Sequence, residues 1–244
     1  MNRLWLAIGL LLWAPPALAA TPVVADLSNY SISIDSSFNG TRMFVFGARN
    51  AGGDIVVVVR GPSKHYIVRK KEPIGGVWVN RERMKFYNVP DFYAVASSKP
   101  LSDMGDSPLL AQLGIGQDNL LTPPPRTLSS GNFPDFEEAF LRHQQRSRLY
   151  SMTPEPVNFM AETLFKTAID FPDNIPPGNY TAEIYLISDG ELVGMQSTPI
   201  SVVKSGLDAF LFDYAHNHPV FYGLTAVLLA LGVGWGAARA FEKF

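Results

Sequence analysis

The sequence predicts a mainly β protein: an immunoglobulin-like β-sandwich ectodomain with a helical insertion, plus one C-terminal transmembrane helix. Three observations carry this. Between Asn29 and Ser97, and again from Val157 to Lys204, short β-rich runs alternate with turn residues, the mark of a sandwich or barrel. Between these regions the chain turns rich in Pro, Ser and Gly around helix-period segments. From Pro219 to Ala238 it holds no charged residue. At about 1.5 Å rise per residue, a helix of that length crosses a hydrocarbon core of about 30 Å.

The first residues, MNRLWLAIGLLLWAPPALAA, read as a secretory signal over 1–19. Arg3 supplies the positive start, Leu4 to Trp13 the apolar run, and Ala17-Leu18-Ala19 the small-residue cleavage site. That run is shorter than the about 20 residues a span requires. The expected organisation is therefore an exported domain over 20–205, a juxtamembrane segment over 206–218, a span over 219–238 and a tail over 239–244. Asp208, Asp213, His216 and His218 precede the span, whereas Arg239 and Lys243 follow it, so the positive-inside rule puts the tail in the cytoplasm.

Composition excludes several functions. A formal charge of -2 and 12% aromatic residues give no polyelectrolyte signature, so no nucleic-acid partner is expected. Absence of cysteine from all 244 residues removes disulfides, thiol catalysis, thiolate metal sites and iron-sulfur clusters together. No cofactor motif is present, and packing alone must hold the exported domain.

Taken in order, NYSISID, TRMFVFGA, DIVVVVR, HYIVRK, VWVN, MKFYNV and FYAVAS read as strands. Ile55 to Val59 are apolar throughout, as in a strand covered on both faces, whereas Ile32 and Ile34 alternate with serines like a half-exposed one. The helical insert falls at about 106–150. Its main helix, from Asp135 to Tyr150, starts acidic and ends with Arg142, Arg146 and Arg148, matching the helix dipole. Phe133, Phe136 and Phe140 recur at helical spacing and form a docking face. LFKTAIDF resumes the strands. Tyr180, Ala182, Ile184 and Leu186 then alternate up to Asp189-Gly190, which suits a two-residue type I′ hairpin.

RGPSKHYIVRKKEPIGGVWVN, FYAVASSKPL, IPPGNYTAEIYLISDGELV and GLDAFLFDYAHNHPVFYGLTAVLLALGVGWGA together resemble the alphaproteobacterial putative transmembrane protein family. The resemblance covers nearly all of the chain after the signal. It implies a single-pass protein of the inner (cytoplasmic) membrane with a periplasmic ectodomain. Genes of that family often lie beside a sulfite-exporter-type permease, which implies a transporter-accessory role and a polytopic inner-membrane partner. The family supplies no catalytic residue to carry over.

Three site hypotheses arise from the residues. Arg60 to Lys85 holds eight Lys or Arg (Arg60, Lys64, Arg69, Lys70, Lys71, Arg81, Arg83, Lys85) against two acids, whereas Glu155 to Glu191 holds seven acids and one Lys. The basic half suits a partner, lipid headgroups or a small anion such as sulfite, against the plainer reading that alternating strand residues simply face solvent or that the two halves pair across a sheet. Asp213, His216 and His218, with His65 or His143, are the only candidates for a metal, against a juxtamembrane contact flanked by Tyr214 and Tyr222. Gly105-Asp106-Ser107 with Asp213 and His216 resembles the nucleophile and D-x-x-H segments of SGNH-type serine hydrolases, but no oxyanion segment accompanies them. In the span, Gly232 and Gly236 form a G-x-x-x-G pair that suits close approach of a second helix, in a homodimer or with another membrane protein. The reading favoured by the sequence is a non-enzymatic interaction module in the lipid bilayer, with an anion binder and then a hydrolase as alternatives.

Overall fold

The structure, a computed structural model, describes residues 21–104, 108–123, 132–151 and 153–241. The signal reading of 1–19 and the Gly105-Asp106-Ser107 segment lie outside the described residues. Strands β1 (Val23–Leu27), β3 (Thr41–Arg49), β9 (Asn158–Phe159) and β10 (Leu164–Phe171) form one sheet in the order β1-β3-β10-β9. The other sheet is built from β2 (Ser31–Ile34), β4 (Asp54–Arg60), β7 (Tyr93–Ser97), β8 (Glu155–Pro156), β11 (Gly178–Ser188) and β12 (Glu191–Lys204). Its order is β2-β12-β11-β4-β7-β8.

This is the immunoglobulin arrangement, with β1, β3, β10 and β9 as the A-B-E-D sheet and β12, β11 and β4 as G, F and C. The chain crosses between sheets after β1, so that β2 lies parallel to β12. Tyr180, near the start of β11, donates its hydroxyl proton to the Pro176 carbonyl at 2.6 Å, the corner that ties strand F to the preceding turn in this fold. Two residues on, where antibody domains place a cysteine, stands the fully buried Ala182.

Period-two burial builds the core between the sheets. Val23, Ala25 and Leu27 of β1 meet Ile55, Val57 and Val59 of β4 and Ala182, Ile184 and Leu186 of β11 in one buried cluster. Val56 and Val58 point the other way, into a second cluster with Tyr185, Ile187 and Val95. The valine-rich strand is thus covered on both faces, as its continuous apolar run predicts. The second cover is helix α2 (Phe133–Arg146), which contributes Phe136 and Phe140; the short helix α1 (Pro108–Gln112) precedes it and contributes Leu110. Helix α2 stops earlier than the sequence suggests. Arg148 takes a positive φ of 57°, and Tyr150 makes a parallel bridge to Tyr93.

The middle strands depart from expectation. HYIVRK, VWVN and MKFYNV do not join the sandwich sheets; they form two long strands, β5 (Ser63–Ile74) and β6 (Val77–Pro90), paired only with each other. Gly75 and Gly76, at φ 58° and 86°, make the two-residue turn between them. No turn residue separates Asn80 from Met84, so the two later runs fuse into one strand. Met84, Phe86 and Val89 bury the base of this ribbon in the second core, while the end around the turn, from Pro73 to Arg81, projects into solvent.

Both cores are built from residues between Val23 and Val202, so the domain closes without help from the C-terminal helices. Those helices are α3 (Leu207–Asn217) and α4 (Pro219–Phe241). Pro219 suits the first turn of α4, where its missing N–H costs nothing. The stretch from Pro219 to Arg239 has mean hydropathy 1.8, and its most apolar window is 0% buried. A soluble helix with that composition would be packed on all sides.

Candidate functional site

The basic residues divide into two groups. Arg60 is not part of an open surface. Its guanidinium pairs with Glu183, and its Nη2 donates to the carbonyls of Leu113 at 2.7 Å and Gly114 at 3.1 Å. Arg60 thereby clamps the loop after α1 onto the sheet, and it joins the basic half of the sequence to the acidic half. Lys64 pairs with Asp91, which is 1% exposed and also accepts a hydrogen bond from the Tyr66 hydroxyl. Burial first, and then this carboxylate, push the Tyr66 phenol up from its ordinary range. Other acids of the acidic half are paired elsewhere: Asp170 with Arg42, whose hydrogen bonds hold its carboxyl below the usual carboxylate range, and Asp173 with Arg148 at 3.3 Å.

Loss of the clamp has a measurable cost. Arg60→Ala leaves Glu183 and two carbonyls facing the sheet without their cation. The pair is about one-fifth exposed (22% and 19%), which lowers the usual penalty for a broken buried pair. The expected loss is about 2–3 kcal/mol, read as a lowered urea midpoint of residues 21–205. Arg60→Lys recovers little of it, because one ammonium does not reproduce the planar fork.

The remaining cations, Arg69, Lys70, Lys71, Arg81, Arg83 and Lys85, line the ribbon. Lys85 lies over the Tyr87 ring at 4.8 Å, and Arg81 reaches Glu72 at 3.2 Å. At the ribbon tip stand side chains that the charge count passes over: Ile74, Val77 and Trp78, exposed by 53%, 63% and 67%. Their signal is legible in I-G-G-V-W, a Gly-Gly pair flanked by β-formers.

The histidines do not converge. His65 sits on the ribbon edge-on to Tyr87, His143 in the last turn of α2, and His216 and His218 at the end of α3. Among the described residues no three His, Asp or Glu side chains are grouped to hold a metal ion. His216 stacks on Phe212 with centroids 4.0 Å apart, its Nδ1 2.9 Å from the Phe212 carbonyl. Asp213 lies on the same helix. Tyr214 stacks on Phe210 and meets Tyr222 edge-on at 6.1 Å, so aromatic rings surround the junction. At the far end Arg239 lies over Trp235 at 5.4 Å. Aromatic side chains at both ends of an apolar helix, joined by a cation at its far end, match the two membrane interfaces. A Cβ added at Gly232 or Gly236 would meet open space, so nothing among the described residues requires a glycine there.

A second apolar surface lies on the outer face of the four-stranded sheet. Val24, Phe46, Met160 and Leu164, exposed by 52%, 37%, 62% and 45%, surround a groove of about 300 Å³. Lys166 lies over Phe44 at 4.3 Å and Arg49 over Phe159 at 4.2 Å, so the cations beside this face are engaged with rings. A further hollow between ribbon and α2 brings Arg69, Lys70 and Arg142 together with Asp135 and Glu138. The two acids make it a poor anion cradle.

No curated protein sequence matches the chain. Among the matching chains of solved structures is one from "Structural basis of T cell specificity and activation by the bacterial superantigen toxic shock syndrome toxin-1". It covers 74% of this chain and 99% of its own at 8% identity, and its TM-score of 0.23 is too low to carry an argument. The family described as "Putative transmembrane protein (Alph_Pro_TM)" matches residues 22–243, which include the whole sandwich, the ribbon and the apolar helix. With a mainly β domain followed by the one exposed apolar helix among the described residues, the chain belongs to this alphaproteobacterial transmembrane protein family.

Proposed function

We propose that the protein is a non-enzymatic interaction module on the periplasmic side of the inner membrane, acting by contact with a polytopic membrane protein such as a sulfite-exporter-type permease. The observation that carries this reading is the groove around Val24, Phe46, Met160 and Leu164. Contiguous exposed apolar surface on a soluble domain marks a protein interaction site. Phe46, with Lys166 over its own ring and Arg49 over that of Phe159, has the aromatic and cationic makeup of an interface anchor. The open flank of α4 at Gly232 and Gly236 suits a partner's transmembrane helix, or a second copy of this one.

A photo-crosslinking residue at Phe46 in intact membranes is expected to recover a polytopic protein. Phe46→Asp should lower that recovery at least tenfold without changing the amount of protein in the membrane, because an unpaired carboxylate in a desolvated groove opposes binding. Crosslinking that yields no membrane protein sinks the reading. The orientation is checked separately: a reporter fused after Phe244 should be active only in a form that works in the cytoplasm. Among the alternatives, an anion binder gains least from the hollow between ribbon and α2, since Asp135 and Glu138 stand beside its cations. A serine hydrolase would draw its nucleophile from outside the described residues, and an esterase activity lost in Ser107→Ala would revive it.

A further inference from the structure

We propose that the tip of the β5–β6 ribbon docks into the surface of an anionic phospholipid bilayer, making a second membrane contact independent of the apolar helix and of the protein partner above. The ribbon is twelve residues long on its shorter side, so at about 3.3 Å per residue it reaches about 40 Å. Its base is fixed by Met84, Phe86 and Val89 in the second core, Arg69 and Lys70 face α2 across the hollow already described, and beyond them Pro73 to Arg81 are exposed. At the extreme end Ile74, Val77 and Trp78 are more than half exposed. A solvent-facing turn gains nothing from such side chains. Three apolar residues on a convex tip offer no pocket for a partner's side chain, but they fit the shallow apolar layer beneath lipid headgroups, and tryptophan favours that layer.

Charge points the same way. From Arg69 to Arg83 the ribbon carries five cations, Arg69, Lys70, Lys71, Arg81 and Arg83, against Glu72 and Glu82, in a chain whose overall formal charge is -2. The cations lie on both strands behind the tip: Arg69 pairs in register with Arg83, and Lys70 with Glu82. Basic side chains set behind an apolar tip place their charges at headgroup depth, where each strengthens attachment to anionic lipid. The bilayer is also close by construction, because the last strand ends at Lys204 and the apolar helix begins at Pro219.

The chain supplies its own reporter. Of its four tryptophans, Trp5, Trp13 and Trp235 fall outside residues 21–205, so the self-contained sandwich holds Trp78 alone. Vesicles of phosphatidylglycerol added to this fragment are expected to blue-shift Trp78 emission and to quench it when the acyl chains are brominated. Phosphatidylcholine vesicles should do neither, and salt at about 0.5 M should reverse the binding. Replacing Lys70 and Lys71 together by Ala should lower vesicle affinity about thirtyfold, at about 1 kcal/mol per cation. No spectral change with phosphatidylglycerol, equal binding to phosphatidylcholine, or an unchanged affinity in the double variant would each overturn the proposal. So would a photo-crosslinker at Val77 in full-length protein in native membranes that labels proteins and no lipid. Because the protein-partner reading is probed at Phe46, on a different sheet, either idea can fail while the other stands.

Discussion

Deletion of residues 206–244 is expected to move essentially all of the protein from the carbonate-washed membrane pellet to the soluble fraction, with the domain still folded. The helix from Pro219 to Phe241 carries no acid and one base, Arg239, in its last turn, and its most apolar window is wholly exposed. Embedded in lipid, such a helix is held effectively irreversibly, whereas surface docking is reversible and salt-sensitive. Were the segment instead a core helix of the soluble domain, its removal would open the core and unfold the protein. Here both cores end at Val202, so the unfolding free energy of residues 21–205 should be unchanged within about 0.5 kcal/mol of the same domain in the full chain. A point variant makes the same case in full-length protein. Leu229→Arg puts a charge near the middle of the span at a cost of about 3 kcal/mol of insertion energy, and it should sharply reduce the membrane-integrated fraction. Full retention of both variants in the carbonate-resistant pellet would show that something other than α4 anchors the chain.

Phe140→Ala is expected to cost about 3–5 kcal/mol, the largest loss for any single side chain in the helical layer. Phe140 is 3% exposed and meets three rings: Tyr66 at 5.0 Å, Phe86 at 5.5 Å and Tyr150 at 6.0 Å. Those rings come from β5, from β6 and from the bridge after α2, so one cavity loosens every part that covers the outer face of the sheet. The first core does not include Phe140. The damage should therefore be uneven. Hydrogen exchange should lose protection along Phe133–Arg146 and the ribbon base at low denaturant, while β3, β10 and β11 keep theirs until global unfolding. Uniform loss across both layers would mean that the helical layer and sandwich form one cooperative unit. No loss at all would mean that the helix is not docked through this ring.

The contrast between these layers shows what is local in the sequence. Strand identity, the Asp189-Gly190 hairpin, the docking face of Phe136 and Phe140, and the uncharged span are written in residues a few positions apart, because side-chain period and turn conformation depend only on neighbours along the chain. Even the double cover on Ile55 to Val59 was legible, since a strand facing solvent on one side would not tolerate apolar residues at every position. The ribbon was only half legible. Its residues read as strands, but no local pattern says whether a strand pairs within a sandwich or stands apart with a single neighbour.

Charge was the least legible feature, for the same reason carried further. Arg60 and Lys71 are alike in sequence, each a cation in a basic stretch, yet one is engaged by Glu183 and two carbonyls while the other is exposed on the ribbon. Arg60 meets a carboxylate that lies far along the chain, and Lys64 meets the buried Asp91 only because the base of the ribbon folds back on itself. By itself, then, the sequence determined the mainly β class, the apolar helix and most of the strand segments, while strand Val23–Leu27 and helix Leu207–Asn217 went unread. Only the tertiary structure decided which cations are spent inside the fold and which remain on the surface, because the energy of a charge depends on partners and solvent brought near it through space, and spacing along the chain encodes neither.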